Sequence, residues 1–211
     1  MIRIVLVDDH NIMRAGLRAI LQKEADIEIV GEAEDGENGL ALIRQNAPDI
    51  ALVDVHMPGI SGVELTERVR RAKLATKIVI LTAAGDAPFP RRLLEAGASG
   101  YLTKGSPADE LIKAIRQVAD GKRYIGADVA QQLALATMDG ERPPFEKLSA
   151  RELEIAIMLA KGIKANEIAK RLHLSEKTVA TYKARLLEKL GIDNVVALAN
   201  LAAVHGLLKK S

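Results

Sequence analysis

The sequence predicts a parallel α/β domain followed by a smaller all-helical domain. Three observations carry that expectation. Short aliphatic runs alternate with amphipathic helical stretches over residues 1–120. The segment Met138-Asp139-Gly140-Glu141-Arg142-Pro143-Pro144 then breaks the apolar periodicity with a glycine and two prolines, as an extended, semi-rigid linker does. From Leu148 onward only helical patterns remain.

Strands are expected near 2–7, 27–33, 50–54, 77–82 and 99–102, and helices near 12–23, 36–46, 62–73, 90–96 and 107–120. Repeated β–α units of this length give a parallel sheet with helices on both faces. Leu111, Ile112, Ile115, Val118 and Ala119 form one stripe at helical spacing, and Gly121 ends that helix. Residues 127–137 read as a further helix. The C-terminal helices fall near 149–161, 164–171, 175–190 and 194–206.

Hydrophobic residues make up 48% of the 211 residues but aromatics only 2%, so aliphatic side chains and alanine must build the core. Cysteine is absent, which excludes disulfides and thiolate-held metals. The start Ile2-Arg3-Ile4-Val5 reads as a strand rather than a leader. No apolar run approaches the roughly 18 residues that span a bilayer. The expectation is a cytoplasmic protein without a membrane partner. Residues 146–211 carry 12 Lys+Arg against 7 Asp+Glu, whereas residues 1–145 carry 18 against 21. That asymmetry divides the chain into a domain at 1–122, a helix and linker at 123–145, and a basic domain at 146–211 with a different partner.

Carboxylates gather at strand ends. Ile4-Val5-Leu6-Val7 runs into Asp8-Asp9, Ile50-Ala51-Leu52-Val53 into Asp54, and Val79-Ile80-Leu81 into Thr82; Lys104 follows Gly100-Tyr101-Leu102. The C-terminal ends of parallel strands are where such folds bind ligands. A carboxylate attacks a phosphodonor poorly because both are anionic. A hard cation such as Mg2+ removes that repulsion, and it prefers carboxylate oxygens, water and phosphate oxygens. Asp9 and Asp54 suit direct ligation, Asp8 ligation through water, and the His56 backbone carbonyl a neutral fourth oxygen. Asp54 is then the nucleophile that becomes an acyl phosphate. Lys104 pairs with the phosphoryl oxygens and Thr82 donates a hydrogen bond to one of them. Taken singly, these residues have plainer uses: Asp8, Asp9 or Asp54 as caps, Thr82 as a strand end, Lys104 as a solvated lysine. Their convergence at four strand ends favours the site. His10 and His56 stand beside it, but imidazole suits Mg2+ poorly.

Val7-Asp8-Asp9-His10, Val53-Asp54-Val55-His56-Met57-Pro58-Gly59, Leu81-Thr82-Ala83 and Gly100-Tyr101-Leu102-Thr103-Lys104 resemble the receiver domain of two-component response regulators. The resemblance implies a flavodoxin-like fold with five parallel strands in the order 2-1-3-4-5. It also implies phosphotransfer from a sensor histidine kinase, and a switch in which Thr82 moves toward the phosphoryl group while Tyr101 turns inward. An aromatic packed at the sheet edge is the other use of Tyr101. Many receivers place proline directly after the lysine; here Gly105 stands there, so a cis bond is not carried over.

In the C-terminal piece, Ser149 and Glu152 are spaced as a capping box. A short helix at Asn166–Leu172, a turn at His173-Leu174 and a second helix capped by Ser175 make a helix-turn-helix. Val179, Tyr182, Leu186, Leu187 and Leu190 form the inner face of that second helix. Lys177, Ala180, Thr181, Ala184 and Arg185 form the outer one. Small residues flanked by cations can enter the major groove of double-stranded DNA. Ala180, Thr181, Ala184 and Arg185 are assigned to base edges, and Lys177, Thr178, Lys183 and Lys189 to phosphates. A solvated amphipathic helix is the plain alternative.

Leu148-Ser149-x-Arg151-Glu152, Asn166-Glu167-Ile168-Ala169, Ser175-x-Lys177-Thr178-Val179 and Lys189-Leu190-Gly191 resemble the LuxR-type helix-turn-helix. Receiver and helix-turn-helix together resemble the NarL/FixJ response regulators. Ala87-Pro88-Phe89-Pro90 and Tyr124-Ile125…Ala130-Gln131-Gln132 point to the GacA/UvrY branch. Ala180 and Tyr182 depart from the Lys and His common in the family. The resemblance implies a transcription regulator that is a homodimer when active, paired through Val196, Leu198 and Leu201 of the last helix. That helix also packs on its own three-helix core in the alternative reading. The resemblance also implies that catalysis is limited to autophosphotransfer and slow autodephosphorylation. An aspartyl-phosphate phosphatase would need an acid two residues past the nucleophile, where His56 stands, and an unphosphorylated interaction module is the remaining alternative.

Overall fold

The computed structural model describes residues 1–82, 94–131, 144–172, 174–204 and 207–208. It divides into two compact units, Met1–Gly140 and Glu141–Ser211, each described by itself.

In the first unit the strands β1 (Ile2–Val7), β2 (Ile27–Ala33), β3 (Ile50–Asp54), β4 (Lys77–Thr82), β5 (Gly100–Thr103) and β6 (Tyr124–Ile125) form one sheet in the order β2-β1-β3-β4-β5-β6. Every pairing is parallel. The sixth strand corrects the expected five and carries the sheet to Ile125. Gly126 N–H donates to the Tyr101 carbonyl at 2.8 Å and Tyr124 N–H to that of Ser99 at 3.1 Å. Two residues are too few to show a period of two, so periodicity could not reveal it.

Alternation along the strands builds two apolar layers. Ile4, Leu6, Ile50, Leu52, Val79, Leu81 and Leu102 face Leu17 and Leu21 of α1 (Asn11–Leu21) and Leu111, Ile112, Ile115 and Val118 of α4 (Ala108–Ala119). On the other face lie α2 (Gly36–Asn46) and α3 (Gly62–Arg71). Asp35 caps α2 by accepting from Asn38 N–H, and Ser61 caps α3 by accepting from Glu64 N–H. The central strands are buried on both faces, which is why they read as unbroken aliphatic runs. Of the helix expected at 90–96, residues 94–96 are helical, and of that at 127–137, residues 127–131 are. Residues 83–93, with Ala87–Pro90, and the linker before Pro144 lie outside the described residues.

The second unit opens with a 3-10 turn, Pro144–Lys147, whose Phe145 is fully buried. It continues as α5 (Ala150–Ala160), α6 (Ala165–Arg171), α7 (Glu176–Leu190) and α8 (Val195–Val204). Both halves of the capping box are present. Ser149 Oγ accepts from Glu152 N–H at 3.2 Å, and a Glu152 carboxylate oxygen accepts from Ser149 N–H at 2.5 Å. The same carboxylate oxygen pairs with Lys189 Nζ at 2.7 Å, joining the start of α5 to the end of α7.

Glu152 is 3% exposed. Burial alone would raise its pKa, but the hydrogen bonds from Lys189 and Ser149 outweigh burial and hold it below the ordinary glutamate value. Its contribution is therefore fully present above the unfolded value of about 4.3 and is lost as pH falls through the lower folded value. Lys189→Met should lower thermal stability at neutral pH and flatten its decline on acidification. Thermal unfolding measured across that range checks this, and identical profiles for the two proteins would contradict it.

Candidate functional site: an acidic pocket and a basic helix face

β1, β3 and β5 deliver the predicted residues to one edge of the sheet. Asp54 is the last residue of β3 and 4% exposed, and Asp8, directly after β1, is 2% exposed. Lys104 follows β5, and its Nζ lies 2.8 Å from Asp54 Oδ2 and 2.8 Å from Asp8 Oδ2. Its backbone N–H donates to the Thr82 carbonyl at 2.7 Å, which ties the lysine loop to the end of β4. Asp54 also accepts a hydrogen bond from the backbone N–H of His56.

Electrostatics follow from that packing. Burial raises the Asp54 pKa, against the opposing hydrogen bond and charge of Lys104, and the Asp8 carboxylate adds to the rise. Burial pulls Lys104 down, but hydrogen bonds to Asp54 and Asp8 more than reverse it and hold the ammonium above its usual value. Lys104 therefore holds its proton more firmly than a free lysine, and Asp54 sits in a poorly solvated pocket.

Asp8, Asp9, His10 and Asp54 bring four donor atoms within 4.8 Å of one another. Asp8 Oδ2 lies 2.8 Å from Lys104 Nζ, and Asp9 Oδ1 lies 2.8 Å from His10 Nδ1. Hard carboxylate oxygens gathered this closely fit a divalent cation such as Mg2+.

Thr82 ends β4 and is 3% exposed; Tyr101 in β5 is 1% exposed, turned into the protein. Burial pushes the Tyr101 phenol up, partly opposed by the Thr82 hydroxyl beside it.

The loop after Asp54 is fixed by a close approach that sequence reasoning missed. A Cβ on Gly62 would stand 2.1 Å from the Asp54 carbonyl oxygen, while Gly62 N–H donates to the Val55 carbonyl at 3.0 Å. Gly36 abuts the Ile60 carbonyl in the same way. Arg14 was also missed; its guanidinium donates to the Asp8 carbonyl. A lone glycine or arginine in a helical stretch carries no sequence signal for these contacts.

In the second unit α6 and α7 form the expected helix-turn-helix, with Ser175 Oγ accepting from Thr178 N–H at 3.0 Å. His173 in the turn lies outside the described residues. On α7, Val179 and Leu186 are fully buried, while Lys177, Ala180, Thr181, Ala184, Arg185 and Lys189 are exposed and Thr178 and Lys183 half-buried. Lys177, Thr178, Thr181, Tyr182 and Arg185 line one shallow depression. The Thr181 hydroxyl donates back to the Lys177 carbonyl at 3.0 Å, and the residue is exposed. Lys189, assigned to a phosphate, is held by Glu152.

The last helix brings a correction. Leu198, assigned to the dimer contact, is 0% exposed and packs inside its own unit with Ala202. Val196 is 71% exposed and Leu201 half-buried. α8 is apolar around most of its circumference, so its pattern could not separate the inward face from the outward one.

Residues 4–116 match the response regulator receiver domain. The chain belongs to the response regulators. Residues 146–202 match the bacterial regulatory proteins of the LuxR family, so this is a LuxR-family response regulator with a receiver domain and a DNA-binding domain. It is similar to the response regulator UvrY of Escherichia coli K12, at 46% identity over 98% of this chain and 96% of that protein. It is also similar to the response regulator GacA of Pseudomonas aeruginosa PAO1, at 45% over 99% and 98%. A solved structure of the response regulator RcsB in complex with DNA matches at 27% identity and a TM-score of 0.60, covering 96% of this response regulator and 98% of that chain. Among the described residues of this response regulator, no helix is long and apolar enough to cross a membrane.

Proposed function

We propose that a sensor histidine kinase phosphorylates this response regulator on Asp54, and that the phosphorylated form binds promoter DNA as a homodimer in the cytoplasm to regulate transcription. The observation that supports this best is the position of Lys104, 2.8 Å from both Asp54 and Asp8 at the mouth of the sheet. One cation bridging two buried carboxylates is placed to follow a phosphoryl group from the donor to Asp54.

In the proposed step an Asp54 carboxylate oxygen attacks phosphorus, the phosphorus–nitrogen bond to the kinase histidine breaks, and its electron pair returns to the imidazole. Asp8, Asp9, Asp54 and the His56 backbone carbonyl would hold Mg2+, which screens the like charges of nucleophile and donor. Lys104 leaves its carboxylate partners for the phosphoryl oxygens. Thr82 moves to donate to one of them, while Tyr101, expected to turn inward with it, already lies inward before phosphorylation at 1% exposed. Beyond self-phosphorylation and slow loss of the phosphoryl group, no turnover is proposed. Radiolabel transfer from a purified histidine kinase tests the reading, and labelling that survives Asp54→Asn would contradict it.

For DNA, the proposal keeps 146–211 as the binding domain, with 1–122 as receiver and 123–145 between them. Ala180, Thr181, Ala184 and Arg185 face base edges; Lys177, Thr178 and Lys183 face phosphates. Lys189 joins them only by leaving Glu152. Val196 and Leu201 remain the proposed dimer residues of the last helix. Each phosphate contact releases condensed counterions, so affinity should fall as salt rises. Lys183→Ala should weaken all duplexes alike and reduce the salt slope by about one, whereas Thr181→Ala should change the preference among sequences. Titrations of several duplexes at different salt concentrations separate the two effects. A Lys183 variant that altered only sequence preference would contradict this division of the helix face.

A further inference from the structure

The acidic turn after β1 is held by a residue that lies one helical turn further along the chain. α1 starts without a capping hydrogen bond from the His10 side chain, so the turn Asp8-Asp9-His10 has to be fixed by other contacts. Two of them are local. Asp8 N–H donates to the Ala33 carbonyl at 3.1 Å, and His10 N–H donates to Asp8 Oδ1 at 2.8 Å. The third comes from Arg14. Its guanidinium donates to the Asp8 main-chain carbonyl through one nitrogen and to Asn11 Oδ1 through another. That carbonyl belongs to the planar peptide unit joining Asp8 to Asp9, so holding it sets the direction in which Asp9 leaves the backbone. A guanidinium presents its donors in a rigid fork, and a two-point hold orients as well as attracts.

Arg14 is itself braced. Its side chain is 14% exposed, and its Nε lies 3.8 Å from Glu32 Oε2. Glu32 stands on β2 in register with Leu6 of β1, and Arg18 Nη1 holds it from the other side at 3.0 Å. The arginine is thus tied both to the sheet edge and to the turn.

We propose that Arg14 is a positioning residue for the Mg2+ site, presenting Asp9 to the ion by fixing the Asp8–Asp9 peptide. This rests on the reading of the pocket as the Mg2+ site. Mg2+ demands near-ideal octahedral geometry, so a carboxylate that leaves the backbone in the wrong direction is a poor ligand. The sign of the effect separates positioning from charge. A guanidinium near the site repels a divalent cation, so its removal should by electrostatics alone tighten Mg2+ binding. Loss of a group that orients a ligand should weaken it. Arg18 is the control, because it carries the same charge and shares Glu32, yet its ion pair is with Glu32 and not with the acidic turn.

The test uses full-length protein stripped of metal. Mg2+ is titrated while the amide signals of Asp8 and Asp9 are followed by NMR, and acetyl phosphate labelling is measured over the same Mg2+ range. Arg14→Met should lower Mg2+ affinity about tenfold. The Mg2+ concentration for half-maximal labelling should rise by the same factor, while the rate at saturating Mg2+ stays within about twofold of wild type. Arg18→Met should bind Mg2+ as tightly as wild type or slightly more tightly. Melting temperatures verify folding. Should Arg14→Met not fold, Arg14→Lys carries the same test: it keeps the charge but lacks the fork that bridges Asp8 and Asn11, and should bind Mg2+ severalfold more weakly than wild type. Equal or tighter Mg2+ binding by a folded Arg14 variant, or an equal loss in Arg18→Met, would overturn the inference and leave the Mg2+ reading intact. A wild type that binds no Mg2+ would overturn both.

Discussion

Asp54→Asn abolishes phosphoryl incorporation. With acetyl phosphate and Mg2+, intact-mass measurement should show one added phosphoryl group on the wild-type protein and none on the variant, because an amide offers no carboxylate oxygen to form the acyl phosphate. The substitution is nearly isosteric and keeps an acceptor facing Lys104 Nζ, which stands 2.8 Å from Asp54 Oδ2. The fold should therefore survive, so the loss can be read as chemistry. Asp8 remains in the variant 2.8 Å from the same cation, with Asp9 next to it in the chain. Labelling at either would appear as residual mass and would show that position in the pocket, rather than the identity of Asp54, selects the nucleophile.

Gly62→Ala should be among the most destabilising single substitutions in the receiver. The new methyl would meet the Asp54 carbonyl oxygen at 2.1 Å and the Asp54 carbonyl carbon at 3.0 Å, with Val53 Cγ1 at 3.1 Å. The first two are backbone atoms at the end of a strand buried on both faces, so they cannot step aside cheaply. A cost of about 3 kcal/mol is expected, at the upper end for overpacking, which lowers the melting temperature by roughly 10 °C for a domain of this size. Any relaxation must push Asp54 away from Lys104, so the rate of labelling should fall as well. Gly16→Ala is the control. Gly16 lies on α1 with nothing within 4 Å of an added Cβ, and there alanine should stabilise by up to about 1 kcal/mol through helix propensity. Opposite signs for one chemical change would separate close approach from propensity. A neutral Gly62→Ala would mean that the loop after Asp54 is not fixed by that contact.

These two substitutions also show what the sequence could and could not disclose. The acidic pocket was legible because chain order and aliphatic runs place Asp8, Asp54, Thr82 and Lys104 at strand ends, and parallel strands bring those ends to one edge. Periodicity similarly exposed the inner and outer faces of α7, where Val179 and Leu186 are buried and Thr181 and Arg185 exposed. The close approach of Gly62 to Asp54 was not legible, since it depends on where the next helix lands. The strand at Tyr124–Ile125 was too short to show a period. Leu198 was misplaced because α8 is apolar on most sides, so burial had to be decided by its neighbours. Lys189 and Glu152 lie 37 residues apart, and only the fold brings the lysine onto the capping carboxylate. Local pattern thus located the chemistry, while long-range packing set which side chains remain free for it.

The central claim is that a phosphoryl group on Asp54 controls engagement of DNA by the α7 face. The most direct measurement is the affinity of one target duplex for the full-length protein before and after acetyl phosphate treatment, with Asp54→Asn carried through the same treatment and sedimentation run in parallel. The account predicts tighter binding and a shift toward dimer for the treated wild type alone. Equal affinity before and after stoichiometric phosphorylation, or the same gain in Asp54→Asn, would contradict it.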